Sequence, residues 1–181
     1  MWIIIVIFVF IVVIAILKQF DVLSYEQKEK RENKKQELQA EECVSLRHVA
    51  GLPLAENCMC NLYLCKDKIV IESEGATFNL LKEKLIDVNL KTETEIRKAY
   101  VSSVGGAVGG ALLFGPLGAM IGGRTKEKED KTEKQFLIFT YLKDNQNQYI
   151  SFEITREFSK ALKFIKDFRD NAKQEKKEFN L

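Results

Sequence analysis

From about Ser45 the chain alternates apolar and polar residues with a period of two. In CMCNLYLC, Cys58, Cys60, Leu62 and Leu64 share one face. In KIVIES, Ile69 and Ile71 alternate with Lys68 and Glu72, and Ser73–Gly75 forms a turn. ATFNLL then places Phe78 and Leu80 inward, and KLIDVNLK places Ile86, Val88 and Leu90 inward. QFLIFTYL and QYISFEI follow later, separated by the hairpin-like KDNQNQ. Such runs predict half-buried antiparallel strands joined by short turns. The period then changes to 3.6, with Phe158, Ala161, Leu162, Ile165 and Phe168 on one side of a helix and Thr155 in the N-cap position. The polar tail over 171–181 is expected to fray. These elements predict an α+β domain over 45–170.

Two segments break this pattern. The first is MWIIIVIFVFIVVIAIL, an uncharged apolar run over 1–17. As a helix it spans roughly 25 Å, just short of the hydrocarbon core. Trp2 and Lys18 are placed as interfacial anchors. No basic n-region precedes the run and no small-x-small cleavage site follows it, so an uncleaved, single-pass transmembrane helix is expected. Lys18, Lys28, Lys30, Arg31, Lys34 and Lys35 all follow it, which predicts that the rest of the chain is cytoplasmic. The stretch over 18–44 is rich in strong helix formers, with Glu26–Lys30 and Lys28–Glu32 spaced as i,i+4 pairs. It lacks an apolar heptad, so a solvated helical stalk is expected rather than a coiled coil.

The second segment is VGGAVGGALLFGPLGAMIGG, Val104–Gly123, with eight glycines and no charge. Every fourth residue from Ser103 is small: Ala107, Ala111, Gly115, Ala119 and Gly123. A second row runs through Gly106, Gly110, Gly118 and Gly122, interrupted by Phe114. Small-xxx-small rows let helices pack closely in lipid, and the pattern resembles a glycine zipper. A single crossing over 99–125 would put the two halves of the β-domain on opposite sides of a membrane. The segment is therefore expected to return at Gly115–Pro116 as a half-depth hairpin. Arg97 and Lys98 before it, and Arg124, Lys126 and Lys128 after it, are expected to contact anionic lipid. Dry packing of the hairpin on its own domain and a mobile loop are the competing structures. Gly118–Thr125 also reads GAMIGGRT, one residue from a phosphate-binding loop, with Arg124 in the lysine position.

Composition adds limits. With 28 Lys and Arg against 26 Asp and Glu, the net charge of +2 carries no nucleic-acid signature. The four cysteines fit reduced thiols in a cytosolic compartment, packed as small hydrophobic groups. With His48, the C-x-C-x4-C spacing does not match a structural zinc site, so no metal and no cofactor is expected. A single histidine excludes most nucleophilic triads, and a non-enzymatic role is expected.

Several antiparallel strands closed by one C-terminal helix resemble the pleckstrin-homology-like superfold, especially its bacterial and GRAM-type members. The resemblance rests on LYLCKDKIVIE, FNLLKEKLIDVNLK and YISFEITREFSKALKFIKDF, over 45–98 and 134–170. It implies a bent sheet plugged by the helix, and binding of lipid headgroups, peptides or proteins. The combined expectation is a membrane-anchored assembly module that binds lipid or protein and self-associates, or binds a partner membrane protein, through the glycine-rich hairpin. The alternatives are a pore- or lesion-forming oligomer and a nucleotide-binding protein.

Overall fold

The computed structural model describes Trp2 and residues 25–73, 75–104, 117–118, 120–121 and 133–177, with backbone only over 100–104 and 173–177. The chain divides into two compact units, Met1–Gln39 and Ala40–Leu181. In the first unit, α1 covers residues 25–37. Lys34 and Glu37 form an ion pair there at 3.0 Å. A turn ends the helix, and Gln39 takes the left-handed conformation at φ 50°. Apart from Trp2, the expected anchor over 1–17 lies outside the described residues. Among the described residues no helix is long and apolar enough to cross a membrane.

The second unit is α+β. Its open sheet has seven antiparallel strands: β1 (Glu42–Ala50), β2 (Met59–Leu64), β3 (Lys68–Ser73), β4 (Ala76–Leu81), β5 (Leu85–Thr92), β6 (Gln135–Lys143) and β7 (Gln146–Glu153). They lie in the order β4-β3-β2-β1-β7-β6-β5. The first strand starts at Glu42, inside the stretch expected to be stalk. A buried Glu42 paired with Lys163 explains why a charged residue can open this strand. The described residues of the unit also include the helices α2 (Glu93–Val104) and α3 (Phe158–Lys177) and a 3-10 turn, Lys82–Lys84.

One face of the sheet carries the larger core. Val44, Leu46, Leu62, Ile71, Phe139 and Phe152 pack there against Ala161, Phe164 and Ile165 of α3. Phe139 meets Phe152 and Phe164 edge-on, at centroid distances of 6.1 and 6.3 Å, a favoured geometry for the ring quadrupole. A Lys82–Asp167 ion pair at 2.8 Å also ties α3 to the sheet unit.

Three local expectations are corrected. Ile86 is exposed, because a register shift between Leu85 and Asp87 turns it outward while Leu85 packs on the core. The helix cap is Glu157 rather than Thr155: the Glu157 carbonyl accepts the Lys160 and Ala161 N–H groups. Docking on the sheet selects the face of α3 that carries Ala161, Phe164 and Ile165, so Phe164 replaces Phe158 and Leu162, both of which are exposed.

Candidate functional site

The opposite face of the sheet holds the point where the glycine-rich segment leaves and rejoins the domain. Thr92 ends β5 opposite Gln135, the first residue of β6. The motif T-E-T-E starts α2 at once. Glu95 N–H donates to Thr92 Oγ1 at 3.2 Å, and Thr92 N–H donates to Glu95 Oε2 at 2.8 Å. This reciprocal capping box satisfies two backbone donors and fixes the direction of the helix. The Glu93 N–H donates to the Lys134 carbonyl at 2.9 Å, joining the two ends of the excursion. The Thr94 and Thr92 hydroxyls donate to Glu133, and these bonds hold its carboxyl below the ordinary value.

The described part of the glycine segment packs dry on this face. Leu117 and Ile121 are buried with Ile96 of α2 against Val49, Phe136 and Ile138, and Met120 and Tyr149 flank them. Residues 117–118 and 120–121 are helical, which makes Leu117 and Ile121 an i,i+4 pair aimed at the sheet. Gly118 is buried beside them. For these residues the structure corresponds to the dry-packing alternative. Ser151 lies under the same layer, cross-strand from Ile138, and its Oγ is buried with no hydrogen-bond partner among the described residues.

The other residues expected on the small-residue rows are placed as follows. Ser103 lies in α2, where only the backbone is described. Gly106, Ala107, Gly110, Ala111, Gly115, Ala119, Gly122 and Gly123 lie outside the described residues, as do Arg124, Lys126 and Lys128. Arg97 is ion-paired with Glu93 at 2.6 Å, and Lys98 is exposed. The expected cation cluster is therefore described only on its α2 side, where one of its two members is engaged within the helix. The phosphate-loop reading meets an antiparallel sheet, whereas that loop joins a strand to a helix in a parallel one. Gly118, Met120 and Ile121 are helical rather than part of a loop.

His48 works locally. Leu52 N–H donates to its Nε2 at 3.3 Å, so that nitrogen is unprotonated and Nδ1–H donates to the Ala55 carbonyl at 3.2 Å. Both bonds tie the loop between β1 and β2 back to the end of the central strand β1. In that loop Gly51 has φ 100°, and a Cβ there would overlap the Tyr149 carbonyl oxygen and lie 2.8 Å from Ile150 Cα. Cys58 and Cys60 are reduced, with their sulfurs 4.0 Å apart. Burial and the neighbouring Cys58 push the Cys60 thiol up to about 12, and burial raises Cys65 as well. These shifts disfavour the thiolate that nucleophilic or metal chemistry requires. Among the described residues no group of three or more His, Cys, Asp or Glu side chains is arranged to hold a metal.

The alternation reading missed the start of α2, Glu93–Lys98, ahead of the helical hairpin expected from residue 99. Its signal was present as Thr92-x-x-Glu95, a capping box at the end of a strand. Comparison with protein-family models and with curated protein sequences finds no match.

Proposed function

We propose that this chain is a membrane-anchored, non-enzymatic binding and assembly module of the pleckstrin-homology-like type, with its α+β domain on the cytoplasmic side. The observation that carries the reading is the uncharged run Met1–Leu17, followed by cations and linked through a charged helix to an antiparallel sheet domain. The strand order and the C-terminal helix against one face support the pleckstrin-homology-like part. In this reading the small-residue rows between Ser103 and Gly123 serve self-association or binding of a partner membrane protein.

Topology tests this reading. Cys43 and Cys65 are buried, so native thiols are poor reporters of sidedness. Glu29 is exposed on α1, and a Glu29→Cys chain provides an accessible thiol. An impermeant maleimide applied to intact cells should leave it unlabelled until lysis, and alkaline carbonate should not extract the chain. Efficient labelling before lysis, or release by carbonate, overturns the proposal.

A further inference from the structure

Helix α3 carries an outward stripe that the domain core does not use. Phe158 and Leu162 are 41% and 40% exposed, although both are large and apolar. Lys166 and Arg169 continue the same line at i+8 and i+11, so all four fall on one side of the helix. Over 158–172, where the side chains are described, the helix's cations divide into two groups. Lys160 pairs with Glu157 at 2.8 Å and Lys163 pairs with Glu42, on the flank that faces β1 and the helix start. Lys166 and Arg169 are exposed and have no ion pair among the described residues. Of the nearby acids, Asp167 is engaged with Lys82, and Asp170, although spaced i+4 from Lys166, forms no ion pair with Lys166 or Arg169 among the described residues.

An exposed apolar pair continued by free cations matches the requirement of an anionic lipid surface. The rings and branches enter the headgroup–acyl boundary, while the long cationic side chains reach the phosphates. We propose that the Phe158–Leu162–Lys166–Arg169 stripe is a docking surface for an anionic lipid leaflet. It is distinct from the cations that flank the glycine-rich segment. The inference rests on the membrane-anchored reading, because the anchor keeps the domain near the bilayer. A high effective concentration then makes a small, weak surface sufficient. Salt weakens the contact, since exposed charges are screened within a short Debye length.

The full chain tests this with one moved reporter. Trp2 is the single tryptophan, so Trp2→Phe with Leu162→Trp places the only indole on the stripe. The protein is reconstituted into vesicles of phosphatidylcholine, alone or mixed with phosphatidylglycerol, with and without brominated acyl chains. In the anionic vesicles the indole emission should shift to the blue and be quenched by bromine, and high salt should reverse both effects. Lys166→Glu and Arg169→Glu should each lower the ratio of docked to undocked domain by about fivefold or more. Equal quenching in neutral vesicles, indifference to charge reversal, or a water-exposed indole in vesicle-bound protein overturns the inference. A blue shift without bromine quenching also overturns it, because protein then covers the stripe. Failure to float with neutral vesicles refutes the anchor alone, and quenching in anionic vesicles still decides the stripe.

Discussion

Thr92 and Gln135 face one another in the β5–β6 ladder, although residues 93–134 lie between them. The glycine-rich excursion therefore leaves and returns at neighbouring strand positions. Between those positions it sends Leu117 and Ile121 back onto the sheet from which it departed. The ladder fixes both ends on one side of the domain, whatever the rest of the segment contacts.

Leu117→Ala should destabilise the domain by roughly 2–4 kcal/mol, because a fully buried leucine leaves a cavity beside Ile96 and Phe136. The urea midpoint of the sheet signal measures this. Deleting 99–125 should cost more, since it uncovers Phe136 and Ile138 together. An unchanged midpoint in Leu117→Ala would show that the residue spends its time elsewhere, as a membrane hairpin requires.

Ser151→Ala should be neutral or stabilising by up to about 1 kcal/mol, since it removes a buried hydroxyl that has no partner among the described residues. A loss of more than that in thermal unfolding would mean that the hydroxyl is satisfied in solution.

Gly51→Ala should cost at least about 2 kcal/mol. The residue combines a left-handed backbone with direct overlap on the Tyr149 carbonyl. The loop amide of Leu52, bonded to His48, should exchange with solvent faster in this variant.

Stability should fall at alkaline pH. The folded-state value of Cys60 lies above its unfolded value, so its contribution is complete below about pH 9 and is lost as pH rises toward about 12. Cys65, Tyr141 and Tyr149 are raised by burial and add to the same alkaline loss. Cys60→Ala should flatten this arm of the stability curve without abolishing it. A curve with unchanged slope would refute the assignment.

Glu133 behaves in the opposite sense. Its folded-state value is depressed, so its contribution is present above the ordinary carboxyl value and is lost as pH falls through the lower, folded value. Thr94→Val should bring the carboxyl, followed by carbon NMR, back toward 4.5. An unmoved titration would mean that Thr94 does not hold it.

The strands were legible because each buries one face, and burying one face of a pleated strand imposes a period of two. Val88, Leu80, Ile69 and Ile71 were all placed inward correctly. The same rule failed at Ile86, where a register irregularity reverses the side-chain direction over one residue. It failed again at Phe158 and Leu162, because a 3.6-residue pattern admits several rotations of the buried stripe and only the docked sheet selects one. The start of α2, Glu93–Lys98, was missed for a different reason. Its sequence is polar at the start, and its capping box is a local hydrogen-bond pattern that hydrophobic periodicity does not detect.

The sequence by itself determined an antiparallel sheet followed by a C-terminal helix, since periodicity and turn chemistry are local properties of the chain. It also presented an uncharged N-terminal run and a glycine-rich interruption as segments unlike the domain around them. Only the tertiary structure decided that β1 lies between β2 and β7, that Glu42 is buried opposite Lys163, and that Leu117 and Ile121 belong to a dry second layer. The physical reason is that apolar side chains gain by leaving water wherever a complementary surface is available. Lipid, a second copy and the protein's own sheet are nearly equivalent destinations in composition, and only long-range contacts identify the one that these two residues take.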